Sequence, residues 1–172
     1  MMPLVYTILY APYGFGGFDT GFILGLSWQF QNGSVPYSEI LYVRPPFSYI
    51  FHSVSLLFGS YSVIIDRAMT YFEIAIYSYL TIKILSIKFQ LNDGSYIFFI
   101  STLSFILSVH TFPPMAWHTV DGIFFSVLGF YLILENKNTF FVFLGGVVIT
   151  LGALSKQGFY LLPFVILFYL MY

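Results

Sequence analysis

Apolar residues dominate the chain in long runs that short polar segments interrupt. Four complete runs cover residues 61–85, 95–109, 119–134 and 140–154. The first exceeds and the other three approach the roughly 20 residues that cross a bilayer, and all are mostly apolar, so each predicts a membrane-spanning helix. The first dozen residues and the run from Phe159 onward are shorter. We expect the sequence to be a fragment cut within a helix at both ends, and residues 1–172 to form a single membrane domain.

The polar segment before the first complete run predicts two short helices. Thr20–Gln31 is too apolar for a soluble helix and too short to span, so we expect it to lie in the membrane interface. A second helix opens at Pro46 and ends at Gly59, because apolar positions recur there at helical spacing. Its opposite face is polar and carries Ser48, His52 and Ser55. The pattern predicts an amphipathic surface helix with His52 at the interface.

The runs together predict an all-α, polytopic transmembrane helix bundle with two interfacial helices in its first outer loop. Alternation of the spans places residues 13–60, 110–118 and 155–158 on one side. Arg44, Arg67 and Lys156 lie on that side, and Lys83, Lys88 and Lys137 lie on the other. This even count of cations does not decide the orientation. Asp66 and Arg67, near the start of one span, are expected to reach water or each other.

Composition supports a lipid environment and excludes several classes of function. Hydrophobic residues make up 59% of the 172 residues, charged residues 8%, and mean hydropathy is +0.87. Soluble domains carry about 25% charged residues, so a bilayer is the solvent that fits. The net charge of −1 offers no basic field for nucleic acid. The chain has no cysteine, which excludes disulfides and thiol chemistry.

One segment departs from the apolar background and carries an ordered set of motifs. They are Asp19, the helix Thr20–Gly33, Pro36-Tyr37-Ser38-Glu39, Tyr42-Val43-Arg44-Pro45-Pro46 and Phe58-Gly59. Arg67 and Lys156-Gln157-Gly158 follow at fitting positions. This order resembles the first outer loop of the GT-C membrane glycosyltransferases. Those enzymes depend on polyprenyl-phosphate sugars and include protein mannosyltransferases and the aminoarabinose transferase of lipid A.

The resemblance implies that the chain is the N-terminal part of a longer GT-C transmembrane domain. It would transfer a sugar from a polyprenyl-phosphate donor to a hydroxyl of a glycan, lipid or protein. It also implies a multi-pass protein of the plasma (inner) membrane, with the first loop extracytoplasmic and a role in cell-envelope glycans. By resemblance Asp19 is the general base, and the substrate- and phosphate-binding residues are Arg44, Lys156, Asp121, Tyr37 and Glu39.

These roles agree with the chemistry, although each residue has a simpler interpretation. A carboxylate accepts the acceptor's proton, and a guanidinium fork stabilises the leaving phosphate. However, Asp19 and Asp121 also fit helix caps, and Arg44 and Lys156 fit interfacial anchors. Glu39 fits a solvated loop acid better than a ligand.

No metal site is predicted, and no cofactor is certain. His110 and His118 share a loop but have no placed third ligand. Some GT-C enzymes carry an acid where this chain has Val43, which argues against a metal there. Two other functions stay open: a non-enzymatic polytopic protein, such as a transporter or assembly factor, and an inactive truncated copy.

Overall fold

A computed structural model describes residues 1–13, 21–91, 93–112, 115–135 and 138–171. Within these ranges the regular structure is helical, which confirms the all-α prediction. The α-helices are α1 (Met2–Tyr10), α2 (Phe22–Gln31), α3 (Phe47–His52), α4 (Ser62–Lys88), α5 (Gly94–Thr111), α6 (His118–Glu135), α7 (Thr139–Ala153) and α8 (Leu162–Met171). Two 3-10 segments, Ser53–Tyr61 and Gln157–Phe159, precede α4 and α8.

Three helical stretches are long and apolar enough to cross a membrane: Phe47–Lys88, Gly94–Thr111 and His118–Glu135. The 27 residues of α4 extend about 40 Å, more than the roughly 30 Å hydrocarbon core. By contrast, α7 has 15 residues and extends only about 22 Å. The prediction that this run spans the bilayer is therefore not supported by its helical length.

The bundle has an apolar exterior and a partly polar interior. Large apolar side chains such as Phe98, Phe99 and Leu107 are exposed along α5. Several ionisable residues are instead buried, including Glu73 and Asp121. Apolar side chains facing outward suit contact with lipid, as the composition predicts.

The helix α3 and the 3-10 segment after it are oriented opposite to the prediction. Ser48, His52 and Ser55, expected to face water, are 0% exposed, whereas Leu57 is 75% exposed. The physical reason is that His52 and Ser55 find polar partners inside the protein, while apolar side chains are stable against lipid. His52 is consequently a core residue and is not interfacial. Gly59 breaks the helix before α4 with φ 57°.

The expected water-facing pair at the start of α4 is also buried. Asp66 is 3% exposed and Arg67 is 2% exposed. Arg67 Nη1 donates hydrogen bonds to the carbonyl oxygens of Ala11 at 2.6 Å and Tyr13 at 2.7 Å. The Arg67 side chain therefore attaches the C-terminal end of α1 to α4, since unpaired carbonyls at that helix end need donors.

The helix α2 begins later than predicted, at Phe22, with Gly21 in the N-cap position at φ 95°. The predicted N-cap residue, Asp19, lies outside the described residues. Ser27 Oγ donates to the Tyr49 carbonyl oxygen at 2.7 Å, which packs α2 against α3. That both short helices lie in the membrane interface stays a prediction.

The three segments predicted to share one side do meet at one end of the bundle. Gln157 Nε2 donates to the Val43 carbonyl oxygen at 2.7 Å. The Phe47 backbone N–H donates to the Leu154 carbonyl oxygen at 3.2 Å. Arg44 approaches His118, at the start of α6. The extended segment before α3 is thus held against the turn between α7 and α8.

Glycines allow α6 and α7 to approach closely. A Cβ atom added at Gly129 would lie 2.5 Å from the Gly145 carbonyl oxygen. At Gly152 it would lie 2.8 Å from Ser126 Oγ. Small residues at such contacts are typical of helix pairs in membranes, where close packing drives association.

Replacing Gly129 with alanine should destabilise the protein by about 1–3 kcal/mol, because the added methyl group displaces backbone. Gly146→Ala is the matched control, since nothing lies within 4 Å of a Cβ there. Thermal unfolding of both variants in detergent measures the difference. Equal melting temperatures would contradict the close α6–α7 contact.

Candidate functional site

A cluster of four ionisable side chains is buried where α3, α4 and α6 meet. His52 ends α3, Asp66 and Glu73 belong to α4, and Asp121 lies in the first turn of α6. All four residues are at most 3% exposed. Asp66 and Glu73 are seven positions apart, so two helical turns place them on the same face of α4. We call this set the buried cluster.

His52 is the centre of the buried cluster. Its Nδ1 lies 2.8 Å from Asp66 Oδ1. On the other side of the ring, Nε2 lies 3.2 Å from Asp121 Oδ1 and 3.8 Å from Glu73 Oε1. Asp66 is fixed in turn, because its Oδ2 accepts the Ala116 backbone N–H at 3.2 Å. One imidazole therefore bridges carboxylates from two other helices.

The carboxylates of the buried cluster are not fully satisfied. Neither oxygen of Glu73, nor Oδ2 of Asp121, has a hydrogen-bond partner among the residues that the structure describes. In the same part of the chain, the ion pairs of these carboxylates all involve His52. Burial of an unpaired carboxylate is costly, so a group with positive charge or a proton is required here.

A second group of polar side chains lies at the same end of the bundle. Arg44 Nη1 lies 3.4 Å from His118 Nδ1, and Tyr42 Oη lies 2.6 Å from His118 Nε2. Lys156 Nζ donates to Thr119 Oγ1 at 2.7 Å. His118 and Thr119 are the first two residues of α6. Arg44 and Lys156, more than a hundred positions apart in sequence, are thus both fixed at the N-terminal end of α6.

A pocket of about 210 Å³ opens beside Arg44. Its other lining residues are Phe22, Ile23, Tyr42, Val43, Ala116, Trp117 and His118. Burial raises the pKa of Tyr42, and the neighbouring Arg44 guanidinium opposes that rise. Tyr42 therefore stays a neutral hydroxyl at physiological pH and can donate or accept a hydrogen bond. We call this the cation pocket.

The cation pocket, named for the cationic Arg44 that lines it, suits an anion of modest size. Its volume is below the roughly 300–1,000 Å³ of pockets that enclose drug-sized ligands. The N-terminal end of a helix presents backbone N–H groups and a partial positive charge, which favour phosphate. With Arg44 and Lys156 nearby, the site can hold a phosphate group while the remainder of a larger ligand stays outside.

The two sites are close neighbours along α6. His118 contacts Arg44, whereas Asp121, three positions later, contacts His52. Residues three apart on a helix share a face, so the buried cluster lies about one turn further into the bundle than the cation pocket.

The predicted site residues separate into groups. Arg44 and Lys156 converge on α6, whereas Asp121 is 1% exposed and belongs to the buried cluster. Tyr37 is exposed, with its hydroxyl 3.4 Å from the Arg44 carbonyl oxygen. Glu39 is exposed and accepts the Val35 backbone N–H at 2.8 Å, as a loop acid does. The catalytic prediction, Asp19, lies outside the described residues.

Several polar residues of these sites were not predicted. Glu73 lies in the middle of a predicted span, and an acid at that position is itself a signal of function. Its spacing from Asp66 offered a second signal, since both fall on one helical face. Tyr42 was named only as part of a motif, His118 only as a histidine without a third ligand, and Thr119 not at all. Their roles arise from contacts between distant segments, which local patterns do not contain.

Comparisons with protein-family models, with curated proteins and with solved structures found no significant match to this chain.

Removing the imidazole tests the buried cluster. His52→Ala should destabilise the protein by about 3–5 kcal/mol, because it leaves buried carboxylates without their partner. His110→Ala is the control, since His110 is exposed and its described contacts are with Tyr6, by ring packing and a 3.4 Å approach to the hydroxyl. Thermal unfolding in detergent, followed by tryptophan fluorescence, measures both. A melting temperature for His52→Ala as high as that of the control would contradict the central position of His52.

Proposed function

We propose that this chain belongs to an integral-membrane glycosyltransferase of the GT-C type. The enzyme transfers a sugar from a polyprenyl-phosphate donor to a hydroxyl acceptor on the extracytoplasmic side of the plasma (inner) membrane. The observation that carries the proposal is the convergence of Arg44 and Lys156 at the start of α6. These are the two cations that the resemblance assigns to the donor phosphate.

The reaction makes a specific electrostatic demand. When the sugar leaves its carrier, the departing polyprenyl phosphate gains negative charge. A cation fixed in advance in a low-dielectric site stabilises that charge most strongly. Arg44 offers a guanidinium fork that meets two phosphate oxygens, and Lys156 adds a second charge. Neither cation forms an ion pair with a carboxylate among the described residues.

The surroundings of Arg44 fit a substrate with a polar head on a long apolar tail. The pocket is lined by Phe22, Ile23 and Trp117 as well as by polar groups. Apolar helix surfaces continue outside it, so the lipid chain can remain in the bilayer while the phosphate enters the pocket. Asp19 is our proposed general base, on the strength of the motif order alone. It would take the proton of the acceptor hydroxyl as the new glycosidic bond forms.

Sugar transfer by membranes that carry the full-length protein tests this function. With a radiolabelled polyprenyl-phosphate sugar, Arg44→Ala and Lys156→Ala should each lower turnover by about 10²–10³-fold. Arg44→Lys should fall between Arg44→Ala and the unchanged protein, since it keeps the charge and loses the fork. Asp19→Asn should lower turnover by about 10²–10⁴-fold.

Lys88→Ala is the matched control, because Lys88 is exposed at the opposite end of α4. Its turnover should equal that of the unchanged protein. Full turnover in Asp19→Asn would remove Asp19 from its role. Full turnover in both Arg44→Ala and Lys156→Ala would overturn the phosphate site.

The buried cluster favours a second candidate, a polytopic transporter. Ionisable residues inside membrane helices often mark an ion or proton pathway. In that case, function would depend on Glu73 and Asp121 and would be insensitive to Arg44. Flux measurements in proteoliposomes, with Glu73→Gln and Arg44→Ala compared, separate the two candidates.

A further inference from the structure

We propose that the buried cluster is a binding site for one divalent transition-metal ion, with His52, Glu73 and Asp121 as its protein ligands. The ion would connect α3, α4 and α6 inside the bundle. The site does not depend on the proposed glycosyltransferase function, since it rests on neither Arg44 nor Lys156, the two cations that carry that proposal. Asp121 is the one residue that the metal site shares with the substrate-binding residues implied by the resemblance.

The first argument is the arrangement of the donor atoms. His52 Nε2, one Glu73 oxygen and one Asp121 oxygen all lie within 4.8 Å of one another. The Nε2 atom is 3.2 Å from Asp121 Oδ1 and 3.8 Å from Glu73 Oε1. Ligands bound at about 2.1 Å in a tetrahedral site are about 3.4 Å apart. The observed separations lie on both sides of that value, so small side-chain adjustments bring the three atoms around one ion.

The second argument is the unpaired state of buried oxygen atoms. Glu73 is 3% exposed, and both of its carboxylate oxygens lack a hydrogen-bond partner among the described residues. Asp121 Oδ2 lacks one as well. Buried carboxylate oxygens are normally hydrogen-bonded or bound to a cation. One imidazolium carries a single positive charge, whereas three carboxylates surround it. A divalent ion bound to a neutral His52 places two positive charges among the carboxylates instead of one.

The third argument is the position of Asp66. It lies 2.8 Å from His52 Nδ1, on the side of the ring opposite the other two carboxylates. An imidazole that binds a metal through Nε2 commonly donates its Nδ1 proton to a carboxylate, which fixes the ring and its tautomer. Asp66 is held for this task by the Ala116 backbone N–H. The cluster thus has three candidate ligands and an outer carboxylate at hydrogen-bond distance from Nδ1, although a small rotation is needed to align the pair as a hydrogen bond.

The ligand set indicates the class of metal. One imidazole and two carboxylates suit Zn²⁺ or Mn²⁺ better than Mg²⁺ or Ca²⁺, which favour sites made of oxygen alone. Three protein ligands leave a further coordination position, which a water molecule commonly takes in such sites. The expected ion is therefore Zn²⁺ or Mn²⁺.

Metal analysis of the full-length protein tests the proposal. The protein is purified in detergent through an affinity tag without histidine, in buffers without chelator, and its metals are measured by mass spectrometry. We expect about one Zn²⁺ or Mn²⁺ per chain, bound through three protein ligands. After removal of the metal with a chelator, titration with Zn²⁺ or Mn²⁺ should restore one equivalent and raise the melting temperature.

Variants assign the ion to this cluster. Glu73→Gln should abolish stoichiometric binding, and Asp66→Asn should weaken it by about 10–100-fold, as expected for an outer partner. Glu135→Gln, at the exposed end of α6, is the control and should bind as the unchanged protein does. If Glu73→Gln does not fold, the unchanged protein is loaded with Co²⁺ instead and its visible absorption spectrum is measured. Co²⁺ bound tetrahedrally by nitrogen and oxygen ligands gives a characteristic spectrum.

Two results would overturn the proposal. One is an unchanged protein that holds no stoichiometric metal and binds neither Zn²⁺ nor Mn²⁺ on titration, so that the cluster is neutralised by protons alone. The other is full metal binding in folded Glu73→Gln, which would place the ion elsewhere. Sugar transfer that persists in metal-free protein would leave the glycosyltransferase function intact, so the two proposals fail separately.

Discussion

The contact of one imidazole with three carboxylates is the constraint on which the junction of α3, α4 and α6 depends. His52, Asp66, Glu73 and Asp121 come from three helices, and none of them is exposed to solvent. Each carboxylate is stable there only if a positive charge or a proton is close. The requirement keeps the polar face of α3 inward, against carboxylates of α4 and α6. Apolar residues, which need no partner, then cover the exterior.

Hydrogen bonds between distant segments position the second site. The segment around Arg44 has little regular structure and is held at Val43 by Gln157 and at Phe47 by the Leu154 carbonyl oxygen. Both partners belong to the turn that carries Lys156, so the same contacts bring the two cations to one end of α6. A charged side chain that is already held in place loses little further conformational freedom when an anion binds. The entropic cost of binding is therefore lower.

The sequence predicts the positions of the helices well and their orientation poorly. Long apolar runs locate α4, α5, α6 and α7 to within a few residues, because length and hydropathy decide where a helix forms. The same reasoning misplaced His52, since an amphipathic pattern does not say whether the polar face meets water or buried charges. Alternation of the spans predicts that Arg44 and Lys156 share a side. Their contacts with His118 and Thr119 depend on tertiary packing, which local patterns do not contain.

The closeness of the two sites has an electrostatic consequence. An anion bound beside Arg44 and Lys156 would be repelled by the carboxylates about one helical turn further into the bundle, and a low dielectric would strengthen both the attraction and the repulsion. Neutralising the buried cluster, by protons or by a divalent ion, removes the repulsion and leaves the two cations dominant. The charge state of His52 and its partners would therefore affect the binding of an anion in this pocket, although none of these side chains is among the residues that line it. The proposed anion site and the junction of α3, α4 and α6 would in this way be linked through α6.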